Sequence, residues 1–140
     1  MNDPLRYARQ YILLDPSDCD PPHSLDLSLG SRDSQKVELL AEAFAAHGFD
    51  PSMPALVGYP KDGRVQLLSG THRHEAARRA EIPLPVTLYL RSYVEAAWGT
   101  PGWERLIADI PVKELTRIGV VDDVAPALAE RIDLSAMGSA

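Results

Sequence analysis

The chain has 140 residues, 45% of them hydrophobic and 24% charged, a one-domain length with a globular composition that excludes wholesale disorder. Its single cysteine, Cys19, excludes an internal disulfide framework and a thiolate zinc site. Twenty acidic against 14 basic residues, a formal charge of −6, argue against nucleic acid as a partner, because duplex binding draws on Lys and Arg set against phosphates. No apolar run approaches the roughly 18 residues of a membrane span, and Met1–Asn2–Asp3–Pro4 does not read as a signal peptide. The expectation is a soluble cytoplasmic protein.

Tyr11–Leu14 is a short apolar run that predicts a first strand. Asp15 to His23 is an acidic loop with three prolines, and no clear period follows as far as Asp33. Ser34 reads as a helix N-cap. Val37, Leu40, Ala41 and Phe44 then recur at helical spacing, and Gly48 stands where a helix stops. Ala55–Tyr59 and Arg64–Leu68 predict two strands joined by the turn Pro60–Gly63. Ser69–Gly70 breaks the run, and a helix is predicted from Thr71 with Ala76, Ala77 and Ala80 on its apolar face. Val86–Leu90 is the next strand. Strand, helix, strand from Arg64 to Leu90 would be a right-handed crossover if its two strands are parallel. Beyond it, Trp98 to Trp103 reads as a loop, Glu104–Ile110 and Asp122–Ile132 as helices with Pro111 opening the segment between them, and Asp133–Ala140 as a frayed end.

The positive charge clusters: Arg73, Arg78 and Arg79 stand beside His72 and His74. In Leu68-Ser-Gly-Thr-His-Arg-His-Glu-Ala-Ala77, a glycine follows a strand and opens a helix. Such a helix start offers unpaired N–H groups and the positive end of its dipole to an anion. His72 and Arg73 fall in the first turn, where Arg can fork onto a phosphate or carboxylate. A strand-to-helix turn with no ligand explains the glycine equally well.

Gly70-Thr-His-Arg73-His-Glu-Ala76 resembles the Gly-x-x-Arg-x-x-Ala box of ParB-type nucleotide-binding domains, and also the Gly-Cys-His-Arg segment of sulfiredoxin. Asp33-Ser-Gln-Lys-Val is similar to the helix start that precedes the sulfiredoxin phosphate loop, and the likeness spans roughly residues 10–92. The resemblance implies an α/β (α+β) fold, a small mixed sheet flanked by helices. Residues 1–92 would form the nucleotide-binding domain and 93–140 a helical C-terminal extension packed on it. It also implies a phosphate site made by Gly70, Thr71, His72 and Arg73 with Lys36 approaching from the first helix. The cofactor would be Mg²⁺ with ATP, ADP or CTP, and no resident metal site is expected.

Threonine at 71 stands where sulfiredoxin has its reactive cysteine, so sulfiredoxin chemistry is not expected. Leu39 and Ala43 replace two hydroxyl positions of that family's first helix. Too little chain follows Ser92 for the DNA-reading and dimerisation segments of chromosome-partitioning ParB proteins. Some members of the superfamily resemble free-serine kinases, with a carboxylate near the first strand as base. Asp18, Asp20 and His23 occupy about that region here. Asp20, His23 and Glu75 are therefore the candidate catalytic residues, in a phosphotransferase acting on a small molecule. The rival reading is a non-catalytic CTP- or ATP-switched regulatory or DNA-associated protein, and a homodimer is open to either. Each residue also has a plainer role. Arg73 can pair with Glu75, His72 can cap the helix, Lys36 and Arg78–Arg79 can be solvated, and the acidic loop can be only a turn. Thr71 is expected to cap its helix or donate to phosphate rather than act as nucleophile.

Overall fold

A computed structural model of the chain describes residues 9–108, 110 and 112–117. The expected helix Asp122–Ile132, Pro111 and the segments at 1–4 and 133–140 lie outside the described residues. In chain order the elements are β1 (Arg9–Leu14), a 3-10 turn (Pro16–Asp18), β2 (Cys19–Asp20), α1 (Arg32–His47), β3 (Leu56–Lys61), β4 (Arg64–Leu67), α2 (Thr71–Ala80), β5 (Leu84–Tyr89), α3 (Arg91–Ile107) and α4 (Val112–Arg117).

The strands make one mixed sheet in the order β1-β5-β3-β4-β2, so the chain is of the α+β class that the sequence predicts. β5 runs antiparallel to β1 and parallel to β3, and β3 is antiparallel to β4. The expected crossover from Arg64 to Leu90 is corrected by this order. β4 and β5 are not neighbours; the parallel pair is β3 and β5, with β4 and α2 both inside the connection. The cause is the tight turn at Asp62–Gly63, where both residues have positive φ. Such a turn matches the twist of adjacent antiparallel strands and sends β4 back beside β3.

β5 is buried on both faces, as expected for a central strand between two layers. On one face Leu84, Val86 and Leu88 meet Val37 and Phe44 of α1 and Ala76 and Ala77 of α2. On the other, Tyr89 and Val57 meet Val94, Trp103 and Leu106 of α3 and Leu115 of α4. α3 and α4 thus cover a sheet face that would otherwise leave Val57 and Tyr89 in water.

Two boundaries differ from the sequence reading. The α1 cap is Ser31, whose Oγ accepts from the Ser34 N–H at 3.0 Å. Ser34 itself lies within the first turn, because the helix already begins at Arg32. In α3 the helix begins at Arg91 and is interrupted at Gly99 (φ 73°, ψ 177°) ahead of Pro101, so the predicted Trp98–Trp103 loop is a kink rather than a connection. A Cβ on Gly102 would stand 2.3 Å from Trp98 Cβ, so the close approach of the two halves requires glycine there.

Candidate functional site

The start of α2 is held by β3. Ser69 Oγ accepts from the Val57 N–H at 3.0 Å, and the Leu68 N–H donates to the Val57 carbonyl at 2.7 Å. Gly70 is the N-cap in the left-handed region (φ 81°, ψ 36°) and makes no side-chain cap bond. A Cβ there would stand 2.6 Å from Leu56 Cγ, so the position takes glycine for two reasons, backbone conformation and space. The first N–H groups of the helix have no intrahelical partner, and the first turn contains no acid.

Three successive side chains leave this start in three directions, as the roughly 100° step of a helix requires. His72 turns toward α1, where its Nε2 donates to Asp33 Oδ1 at 2.8 Å. That bond, with a second from the Asp26 N–H, holds the Asp33 carboxyl below the usual carboxylate range. Arg73 turns toward the segment between α1 and β3. It donates to the Pro54 carbonyl and lies 5.8 Å over the Phe49 ring. Burial pushes its guanidinium below the ordinary value, and no carboxylate pairs with it among the described residues. Lys36 is exposed on α1, one turn beyond Asp33, and Leu39 beside it is 69% exposed.

Thr71 turns the other way. With His74 and Glu75 of α2 and Pro22, His23 and Leu25 of the preceding loop it lines a cleft of about 410 Å³, the size of a small-ligand pocket. Thr71 is 9% exposed, and its hydroxyl has no hydrogen-bond partner among the described residues. It does not cap the helix as the sequence suggests, since the capping position is Gly70. His74 is buried, with Nε2 2.9 Å from the Pro16 carbonyl oxygen. A carbonyl only accepts, so that nitrogen carries the proton and pins the 3-10 turn to α2.

Glu75 does not pair with Arg73. Its carboxylate takes Arg78 at 2.5 Å and Arg79 at 3.0 Å, and the Arg78 bond in particular lowers its pKa against the cost of burial. Asp20 lies away from the cleft, at the sheet edge. Arg64 reaches both of its oxygens, at 3.0 and 3.1 Å, and donates to the Ser17 carbonyl as well. Cys19 is buried, and burial pushes its thiol up to about 12, so it offers no thiolate at neutral pH. The structure therefore brings His23, Glu75 and Thr71 together, sets His72 and Arg73 on the opposite side of the helix start, and leaves Asp20 out. The partners that sequence reasoning missed are Asp33, Phe49 and Pro54. Asp33 carried one local signal, an acid two residues after a serine cap. The other two carried none.

Among the described residues no cluster of three or more His, Cys, Asp and Glu side chains could hold a metal ion, and no helix is long and apolar enough to cross a membrane. No family model and no curated protein matches the chain. Two of the solved structures to which the chain is similar are a sulfiredoxin and a ParB protein. Sulfiredoxin from Arabidopsis thaliana matches at 20% identity and a TM-score of 0.43, over 63% of this chain and 96% of that one. The C-terminally truncated chromosome-partitioning protein ParB from Caulobacter crescentus, complexed with CTP-gamma-S, matches at 17% identity and a TM-score of 0.44, over 77% of this chain and 63% of that one.

Proposed function

We propose that the chain binds nucleotide phosphate at the start of α2 and acts as a small-molecule phosphotransferase. The observation that carries this reading is Arg73, a partly buried guanidinium at the positive end of a helix with no carboxylate to neutralise it among the described residues. An uncompensated buried charge is costly. A phosphate would supply the missing anion and would meet the free N–H groups of Thr71, His72 and Arg73 at the same place. Lys36 approaches from α1 as a second cation.

Mg²⁺ would enter with the nucleotide and neutralise phosphate oxygens, which needs few protein ligands; Asp33 is the carboxylate on that side of the helix start. The acceptor hydroxyl would come from the Thr71 side. His23 suits the base there, because it lines the cleft and is exposed. Glu75, ionised between two arginines, is a weak base and serves better to hold the helix surface in place. Thr71 donates a hydrogen bond and forms no covalent link. In the transfer, His23 would take the hydroxyl proton as that oxygen attacks the terminal phosphorus and the bond to the leaving phosphate oxygen breaks. Such a reaction asks chiefly for positioning and charge neutralisation.

Calorimetric titration with Mg²⁺ and ATP, ADP or CTP tests the site. Arg73→Ala should lose roughly 1.5–3 kcal/mol, the scale of a hydrogen bond to a charged group. Equal affinity in that variant would remove the site. One observation favours a regulatory, non-catalytic reading instead: the only carboxylate lining the cleft among the described residues is Glu75, and it is already paired. Nucleotide binding without turnover, whatever hydroxylated acceptor is added, would select it.

A further inference from the structure

Asp33 holds two groups at once. Its Oδ1 accepts from His72 Nε2 at 2.8 Å, at the start of α2, and its Oδ2 accepts from the Asp26 N–H at 3.0 Å, in the loop before α1. We propose that this carboxylate is an internal stand-in for phosphate, and that a phosphate bound at the start of α2 displaces it and thereby releases the loop wall of the cleft at Thr71. The inference rests on the phosphate reading of that helix start and adds a link between its two sides.

The displacement follows from proton count and charge. His72 Nε2 carries one proton and spends it on Asp33. A phosphate oxygen gains that bond only if the carboxylate leaves, and two anions so close repel each other. Phosphate brings more charge and more acceptor oxygens than a carboxylate, and it can take the N–H groups of the helix start as well. The pair is open to such a ligand, since the His72 and Asp33 side chains are 28% and 29% exposed.

The other end of the link is a compact turn. Asp26 Oδ1 accepts from the Ser28 N–H at 3.1 Å, and the Asp26 carbonyl accepts from Ser31 Oγ at 2.6 Å. Gln35 Nε2 of α1 donates to the Gly30 carbonyl at 3.0 Å. Leu25 packs against the core, but Leu27 is 41% exposed and Leu29 wholly so. Leu25 and Leu27 line the cleft together with Thr71. Loss of the Asp33 bond therefore frees the Asp26 amide and with it the Leu27 side of the cleft, while Leu25 stays anchored. The phosphate site and the cleft lie on opposite sides of the helix start, and Asp33 is a bonded path from one to the loop of the other. Phosphate in place is then the condition for the cleft to change shape, an order that puts the donor before the acceptor.

The test titrates the full chain with metal-free inorganic phosphate and follows backbone amides and leucine methyl groups by NMR. Thr71, His72 and Arg73 should saturate, and the Asp26 amide proton should leave its hydrogen-bonded position with the same midpoint, together with the Leu27 methyls. Asp33→Asn, which keeps the size and removes the charge, should bind phosphate roughly two- to five-fold more tightly. In Asp33→Ala the Asp26 amide should stand at its released position before phosphate is added and stay there. Unaltered resonances along β5 show that each variant is folded. Saturation at Thr71–Arg73 with Asp26 and Leu27 unmoved overturns the link and leaves the phosphate site standing. Equal or weaker binding by Asp33→Asn overturns the stand-in role. Saturation of the two variants but not of the wild type supports it, because the carboxylate then excludes the anion. No saturation in any of the three chains overturns the phosphate reading and this inference with it.

Discussion

At the last turn of α2, Arg78 and Arg79 stand at the negative end of the helix dipole and share the carboxylate of Glu75, an arrangement in which every charge has its complement. At the first turn His72 and Arg73 stand at the positive end, where acids are favoured and none is present. One borrows Asp33 from α1, and the other has, among the described residues, only a carbonyl and a phenyl ring. A ten-residue helix thus satisfies the ordinary charge rule at one end and violates it at the other. Proteins keep such local inconsistencies where a ligand completes them. The cleft of about 350 Å³ beside the last turn, lined in part by Asp15, Arg78 and Glu81, shows no comparable deficit, since its arginine is already paired.

The sharpest way to break the contrast is at the hinge of the first turn. Gly70→Ala should destabilise the fold by roughly 2–5 kcal/mol, the sum of a left-handed alanine and a methyl driven into Leu56. The denaturant midpoint should fall with an unchanged slope. Next comes the pair Arg73→Ala and Arg78→Ala. The first should cost nucleotide affinity as given above. The second, an exposed ion-pair partner, should leave affinity unchanged and alter stability by no more than about 1 kcal/mol. Equal effects of the two on nucleotide binding would erase the distinction between the ends. Glu81 at the helix stop has φ 57°, so Glu81→Gly should raise stability by about 1 kcal/mol, seen as a higher Tm. Asp33→Asn removes an anion from the neighbourhood of the phosphate site and should tighten metal-free ATP binding roughly two- to five-fold, the scale of about 0.3–1 kcal/mol for a charge at a helix end.

The smallest effect is on pH dependence. The Glu75 pKa is lowered on folding, so its contribution is present above the ordinary glutamate range and is lost as pH falls through the lowered value. Glu75→Gln should flatten that part of the acid limb in a plot of stability against pH. An unchanged limb would mean that the arginines at the last turn do not hold it.

The contrast was half legible in the residues themselves. The box around Gly70, the apolar faces of α1 and α2 and the Asp62–Gly63 turn are local patterns, and local patterns survive in a single sequence. What stood outside it depends on contacts between distant positions. Asp20 reads as a free carboxylate until β2 is laid beside β4, which brings Arg64 onto it. Arg73 and Glu75 could pair only if α2 were ignored: two residues apart, they point to opposite faces of the helix, and Glu75 meets Arg78 and Arg79 one turn on instead. The order of the sheet was hidden for the same reason, because a two-residue β2 leaves almost no pattern.

The register of the sheet also sets an order of events during folding. β3 and β4 can pair across a two-residue turn, and α2 follows directly, so these parts can form while most of the chain is still open. β1 has to wait: it joins the sheet only by pairing residue 9 with residue 89, across nearly all the other elements. Closing so long a loop costs entropy that no neighbouring contact returns early. β1, made before the other strands of this sheet, is therefore expected to be the last to dock, and the sheet has a provisional edge at β5 until it does.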